Sequence, residues 1–150
     1  MITGTKGMLF RKPPAEVFRA FTDPSITTKF WFTKSSGPMA PDAKLRWDWE
    51  MFGASANVVV KEFARDRRVV FDWGAEGSMR TVVWRFVPWK EHTYLNVVET
   101  GYRGTPEEMA AQAIDSIAGF ALVLAAAKAW LEHGLVLAVV ADHVVQGLQL

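Results

Sequence analysis

Between Lys44 and Tyr102 the chain repeats a strand pattern, and a long apolar segment follows it directly. Apolar residues alternate with charged ones from Lys44 to Met51, which is typical of a strand with one buried face. Further strand-like runs follow at the spacing of antiparallel hairpins: Ala54–Ala64, Arg68–Trp73, Ser78–Val87 and Thr93–Tyr102. Consecutive strands followed by a segregated helix restrict the chain to the α+β class, with a curved antiparallel sheet packed on the helix. The sequence pattern does not decide which residues of Ala54–Ala64 face the core.

The segment after these strands predicts one long helix. Thr105 is a capping residue, Pro106 suits the first helical turn, and Glu107 and Glu108 lie at the positive end of the helix dipole. Gly134 is the expected stop, so the helix should run to about residue 133. Apolar side chains lie on nearly all sides of this helix, and we therefore expect it to be buried on more than one face.

The N-terminal part predicts one strand and two short helices. The extended segment Thr3–Lys12 ends at a Pro-Pro pair, which bars a helix before it. One helix begins at Pro14 and ends at Asp23, a second spans Ser25–Phe32, and a loop spans Lys34–Ala43.

Composition narrows the classes of function. A net charge of +1 on 150 residues removes the main electrostatic argument for a nucleic-acid partner. There is no cysteine, and the three histidines lack the spacing of a metal site, so we expect no metal and no cofactor. The longest strongly apolar run, Ile117–Ala127, has eleven residues, fewer than the roughly 18 needed for a membrane span. These features predict a cytoplasmic protein with no membrane span.

Several motifs resemble the START-like, or SRPBCC, superfamily, and more narrowly its branch related to the activator of heat-shock-protein-ninety ATPase. The stretch Pro13–Thr33 resembles the family's opening, with a Pro-Ala-x-x-Val-Phe helix and a tryptophan-bearing second helix. Further matches are Val60–Glu62, Arg68–Trp73, Glu99–Tyr102 and Trp130–Gly134. The resemblance covers about residues 6–134 and implies a helix-grip fold over a single START-like domain, 1–150, with a cavity between sheet and long helix. The tail, residues 135–150, is unassigned, and neither helix nor strand is favoured for it.

The seven tryptophans are either core residues or the lining of that cavity. Both interpretations are open from composition, and the resemblance favours the lining. We expect ten residues to line or border a ligand: Trp31, Trp47, Trp49, Trp73, Trp84, Phe86, Val97, Glu99, Phe120 and Leu124.

Polar groups for such a cavity are few. Glu99 shares a strand face with Leu95 and Val97, and a carboxylate inside the cavity would have a raised pKa unless it is paired. If the strand twists or ends at Glu99, the side chain lies solvated at the rim, which is the simpler expectation. Arg80 shares the phase of Trp84 and would reach the cavity mouth if that face is enclosed.

Three functions remain open. The first is binding of a small hydrophobic or amphipathic molecule. The resemblance also implies a co-chaperone-like alternative, with a heat-shock chaperone as partner, or a cavity-based enzyme such as a cyclase or hydrolase. No nucleophile elbow, phosphate loop or dinucleotide motif occurs, so catalytic residues are unknown and Glu99 and Arg80 are the only acid–base candidates.

The second side of the long helix needs a cover. Small or apolar residues form it: Ala118, Leu122, Ala125, Ala126 and Ala129, together with the tail Leu135–Val140. Either the tail folds back onto the helix, or a second copy of the chain packs there as a homodimer. We expect the dimer, because the tail is short.

Overall fold

One antiparallel sheet and one long helix dominate the computed structural model, which describes residues 1–150. The strands are β1 (Gly4–Phe10), β2 (Lys34–Ser35), β3 (Lys44–Trp49), β4 (Ala54–Ala64), β5 (Arg68–Gly74), β6 (Arg80–Trp89) and β7 (His92–Thr100). The helices are α1 (Pro14–Thr22), α2 (Pro24–Thr27), α3 (Pro106–His133) and α4 (Val139–Asp142), with a 3-10 turn at Glu50–Phe52. The strand order is β1-β7-β6-β5-β4-β3-β2, with every neighbouring pair antiparallel. The predicted α+β helix-grip architecture is confirmed.

The alternation of the strands sends one set of side chains into a core shared with α3. On β6, Trp84 and Phe86 are buried whereas Arg85, between them, is exposed. On the neighbouring strand β7, Leu95 is buried on the same face. Leu124 of α3 has no exposed surface and closes the core from the helix side. The long helix is therefore held by the sheet face that the sequence pattern predicts.

A bulge in β4 explains why the phase of this strand was ambiguous. Val60 pairs with Phe71 of β5, but the register shifts between Val60 and Glu62. Before the bulge Ala56, Val58 and Val60 are buried, and after it Phe63 packs against the core, with its ring 5.3 Å from that of Phe18. A bulge places two residues opposite one, so the inward-facing phase changes within the strand.

The second helix is shorter than expected, because α2 ends at Thr27 and not at Phe32. The next residues form turns, and the consecutive Phe30, Trp31 and Phe32 are all at least 94% buried. A continued helix would rotate one of these three rings toward solvent, whereas turns let all three reach the core.

Two further boundaries differ from the expectation. Lys34–Ser35, expected in a loop, forms a short edge strand whose residues pair with Asp48 and Trp47 of β3. Strand β3 ends at Trp49, so Met51 lies in the 3-10 turn and not on the strand face. Gly53 closes that turn at φ 61°, a left-handed conformation that favours glycine.

Helix α3 begins and ends as predicted. The Thr105 hydroxyl accepts a hydrogen bond from the Glu108 amide at 3.1 Å, and the Glu108 carboxylate accepts one from the Thr105 amide. By length and composition alone α3 could cross a membrane, because an 18-residue window has a mean hydropathy of 1.7. The apolar run Ile117–Ala127, with eleven residues, did not indicate a helix that could span a membrane. Of the 18-residue window 28% is buried, and the buried residues, such as Phe120, face the core.

The tail, left open by the sequence, contains the short helix α4, which packs on α3. Val140 of α4 is buried against the core. The preceding Leu135–Leu137 stay exposed, as does Ala125 on the outer side of α3. The folded-back tail therefore covers only part of the helix.

Candidate functional site

A cavity of about 400 Å³ lies between the sheet, α3 and α4, and it is partly open to solvent. Its aromatic wall consists of Trp31, Trp49, Phe52, Trp73 and Phe120. The other lining residues come from four elements. They are Asp115, Ser116, Ala118, Gly119, Leu122 and Val123 of α3, Ala54 of β4, Arg80 of β6, and Val140 and His143 of the tail. A pocket of this size with mostly apolar walls and few polar groups has the character of small-molecule sites in proteins.

The expected ligand residues fall into two groups. Four of them line the cavity: Trp31, Trp49, Trp73 and Phe120. Behind the wall lie Trp47, Trp84, Phe86, Val97 and Leu124, each at most 2% exposed and part of the core. Trp47 and Trp84 border the wall, with their ring centroids 4.9 and 6.0 Å from that of Trp31.

Sequence reasoning missed several lining residues. Phe52 follows the end of β3, where the period-two pattern no longer applies, and its ring lies 5.8 Å from that of His143. Val140 and His143 belong to the tail, whose structure was open. Gly119 carried a usable signal, because glycine inside a helix costs stability and therefore often has a packing reason.

Glu99 is fully buried directly behind the cavity wall, where three of its neighbours line the cavity. One carboxylate oxygen accepts a hydrogen bond from the indole N–H of Trp73 at 2.7 Å, and the other accepts one from the Ser116 hydroxyl. A guanidinium nitrogen of Arg80 lies 3.7 Å from the second oxygen. The expectation that Glu99 is solvated at the rim is wrong, because β7 continues through Thr100 and these partners compensate the buried charge.

Arg80 connects this carboxylate to the cavity and to the start of α3. Its guanidinium donates to the Gln112 side-chain oxygen at 3.2 Å and lies over the Tyr102 ring, 5.1 Å from the centroid. Gln112 in turn donates to the carbonyl of Arg103 at 2.8 Å, which fixes the loop before α3. About a third of the Arg80 side chain stays exposed, so its guanidinium is the cation that the cavity presents.

Tyr102 completes the polar cluster. Its side chain is buried and its hydroxyl has no hydrogen-bond partner. Burial raises the pKa of Tyr102 well above its ordinary value, and the negative charge of Glu99 raises it further. Tyr102 is therefore held neutral, and Arg80 is the positive partner of Glu99.

The cluster limits the acid–base chemistry available. Glu99 has no exposed surface and does not line the cavity, so its carboxylate is not within reach of a bound molecule as a general base. No group of three or more potential His, Asp or Glu ligands is placed to hold a metal ion. The arrangement is suited to binding an apolar molecule and orienting it through a few polar groups.

Comparisons with known proteins agree with this architecture. The family model "Activator of Hsp90 ATPase homolog 1-like protein" matches residues 11–132. A crystal structure of a protein from Staphylococcus saprophyticus superimposes with a TM-score of 0.77 at 23% identity, covering 91% of this chain and 96% of that one. The solution structure of the Aha1 dimer from Colwellia psychrerythraea gives 0.76 at 15% identity, with coverages of 89% and 98%.

An HSP90 activator from Plasmodium falciparum is similar at a TM-score of 0.60 and 19% identity, covering 71% of this chain and 78% of that one. A comparison with curated protein sequences found no match. These identities support the fold alone, whereas the family model spans most of the chain. The chain therefore belongs to the family of Activator of Hsp90 ATPase homolog 1-like proteins, and it has the helix-grip fold.

Proposed function

We propose that this protein binds a small hydrophobic or amphipathic molecule in the cavity between the sheet and α3. The observation that carries the proposal is an aromatic wall next to a single, half-buried cation, Arg80. Burial of apolar surface would drive binding, and the polar end would orient the ligand. The absence of cysteine fits a cytoplasmic protein, and we propose that location.

The aromatic wall is held in place before any ligand arrives. The ring of Trp31 contacts those of Trp73 and Phe120, with centroids 5.7 and 6.0 Å apart. Trp73 also contacts Phe120 directly at 5.7 Å and is fixed by its hydrogen bond to Glu99. Walls that need little ordering on binding leave more of the interaction free energy for affinity.

Gly119 keeps space open on the helix side of the cavity. A Cβ atom added at this position would meet no other atom within 4 Å. Glycine inside a helix costs about 1 kcal/mol relative to alanine. Open space beside a destabilising glycine is what a ligand cavity requires and a packed core avoids.

The test is a ligand screen that follows the melting temperature and the tryptophan emission together. Fatty acids, sterols and aromatic polyketides form the panel, because they differ in shape and polarity. A ligand that binds only the native state raises the melting temperature. The Gly119→Leu variant fills the cavity and should lose the response, whereas Gly119→Ala, which adds one methyl group, should keep it. Unchanged emission and unchanged melting across the panel would contradict the proposal.

A protein-directed function is the second candidate. Two observations favour it: the family model carries the name of a chaperone ATPase activator, and Trp89 and Tyr94 are 56% and 42% exposed on the β6–β7 hairpin. Exposed aromatic residues are enriched at protein interfaces. The test is binding to the heat-shock chaperone with its ATPase rate measured alongside. A complex that accelerates the ATPase and weakens with Trp89→Ala supports this function; no complex and no rate change rejects it.

We also propose a homodimer that covers the outer side of α3. The tail leaves Ala125 and Leu135–Leu137 exposed, and the small side chain of Ala125 permits close approach of a second helix. The similar fold from Colwellia psychrerythraea is described as a dimer. A second copy of the chain would remove these apolar side chains from water.

A further inference from the structure

We propose that the polar end of the cavity selects neutral aromatic molecules with a hydrogen-bond acceptor over carboxylates of the same size. This inference rests on the proposed function, because it assigns the ligand class of the same cavity. Three features carry it: the shape of the walls, the free donors of Arg80, and the charge already present around that guanidinium.

The walls suit a flat molecule. Indole rings of Trp49 and Trp73 come from the sheet side, and the small residues Ala118 and Gly119 come from the helix side. A planar ring can stack against an indole and still lie close to α3 at Gly119, which carries no side chain. A flexible aliphatic chain would lose more conformational freedom for the same apolar contact. The geometry therefore favours an aromatic ring system.

Arg80 supplies the donors at the polar end. One guanidinium nitrogen donates to Gln112, and another lies at 3.7 Å from Glu99, which is longer than a hydrogen bond. A guanidinium has five N–H donors, so some remain for a ligand. The Ser116 hydroxyl, in contrast, already donates its proton to Glu99. To bond with Arg80, a ligand must therefore bring an acceptor, such as a ketone or quinone oxygen.

The charge around Arg80 disfavours an anion as that acceptor. Glu99 already compensates the guanidinium, and Asp115, an exposed residue of α3, borders the same cavity. Tyr102, whose ring lies against the guanidinium, is held neutral and adds no charge there. A bound carboxylate would lose its hydration beside a cation that Glu99 already compensates, whereas a ketone loses far less on desolvation.

The experiment compares two probes with the same ring system and the same number of heavy atoms: 2-acetylnaphthalene, which is neutral, and 2-naphthoate, which is anionic at pH 7.5. Affinities are measured by titration calorimetry and by quenching of tryptophan emission. We expect the ketone to bind the protein at least about tenfold more tightly than the carboxylate, a difference of about 1.4 kcal/mol.

A variant that removes the charge of Glu99 tests whether this charge causes the preference for the ketone. Glu99→Gln keeps groups that can contact Trp73 and Ser116 but leaves Arg80 without its negative partner. The preference for the ketone should fall by about tenfold or reverse, because the guanidinium then needs an anion. Glu91→Gln makes the same chemical change on an exposed turn and should leave the preference unchanged.

Each result decides between the two proposals. If the wild-type protein binds 2-naphthoate as tightly as 2-acetylnaphthalene, or more tightly, the charge argument is overturned while cavity binding stands. If neither probe binds and the wider panel also leaves the melting temperature unchanged, the cavity proposal itself fails. If Glu99→Gln does not fold, the wild-type comparison alone decides, since it needs no variant.

Discussion

The indole nitrogen of Trp73 lies 2.7 Å from a carboxylate oxygen of Glu99, and this bond joins β5 to β7 across the intervening strand β6. The second oxygen of the same carboxylate accepts the Ser116 hydroxyl from α3. One fully buried side chain thus ties three strands and the long helix together at the edge of the cavity. Its removal affects both the stability of the fold and the shape of the site.

We expect Glu99→Ala to lower the free energy of unfolding by roughly 3 kcal/mol, because it leaves the donors of Trp73 and Ser116 without a partner and Arg80 without its counter-charge. Ser116→Ala removes one hydrogen bond to this carboxylate and should cost about 2 kcal/mol. Urea denaturation at pH 7 measures both values. A loss below about 1 kcal/mol for Glu99→Ala would show that the cluster is not a structural tie.

Tyr102 predicts a loss of stability at alkaline pH. Its pKa in the folded protein is raised above the unfolded value of about 10, so its contribution to stability is full below pH 10 and is lost as the pH rises further. Tyr102→Phe should have little effect near pH 7, since the hydroxyl has no partner, and should reduce the loss above pH 10. Equal slopes for the wild-type protein and Tyr102→Phe between pH 9 and about 11 would reject the assignment.

Gly119→Ala should raise the free energy of unfolding by about 0.5–1 kcal/mol, because alanine is the better helix residue and its Cβ meets open space. Gly53→Ala is the contrasting substitution, since Gly53 has a φ of 61° and a Cβ there is strained whatever the space. In thermal unfolding the melting temperature should rise for Gly119→Ala and fall for Gly53→Ala. A destabilising Gly119→Ala would mean that the space beside α3 is filled.

The proposed homodimer is checked by sedimentation at micromolar concentration. We expect a species of twice the 16.8 kDa monomer mass, and a monomer for Ala125→Glu, which would bury an unpaired charge at the contact. Glu107→Gln, at the exposed start of α3, serves as a control and should leave the mass unchanged. A single monomeric species in the wild-type protein would show that the tail is the only cover that α3 has.

Local patterns predicted most of the fold. Thr105 and Gly134 delimit α3 because capping chemistry acts within a few residues, and the buried face of β6 follows from alternation at Trp84 and Phe86. The bulge after Val60 was beyond such patterns, since it depends on how β4 pairs with β5. A bulge depends on the pairing of two strands. The sequence of one strand alone shows it only as an irregular alternation of apolar and polar residues.

The candidate site was less accessible to prediction from sequence. The aromatic wall could be proposed from the tryptophans, but the division between wall and core could not. Trp73 and Trp84 both point inward from their strands, yet Phe120 of α3 packs on Trp73 beside the cavity, whereas Phe21 of α1 packs on Trp84 in the core. The burial of Glu99 depends on Ser116, which lies 17 residues further along the chain on another element. Tertiary contacts of this kind have no local signature.

The central claim, that a small molecule binds inside the cavity, is tested most directly by the indole N–H resonances of the tryptophans during titration with 2-acetylnaphthalene. Trp31, Trp49 and Trp73 line the cavity, whereas Trp89 is 56% exposed on the far hairpin. The account predicts that the three cavity resonances shift together with one dissociation constant and that the Trp89 resonance stays in place. Saturable shifts at Trp89 with none at the three cavity residues would contradict it.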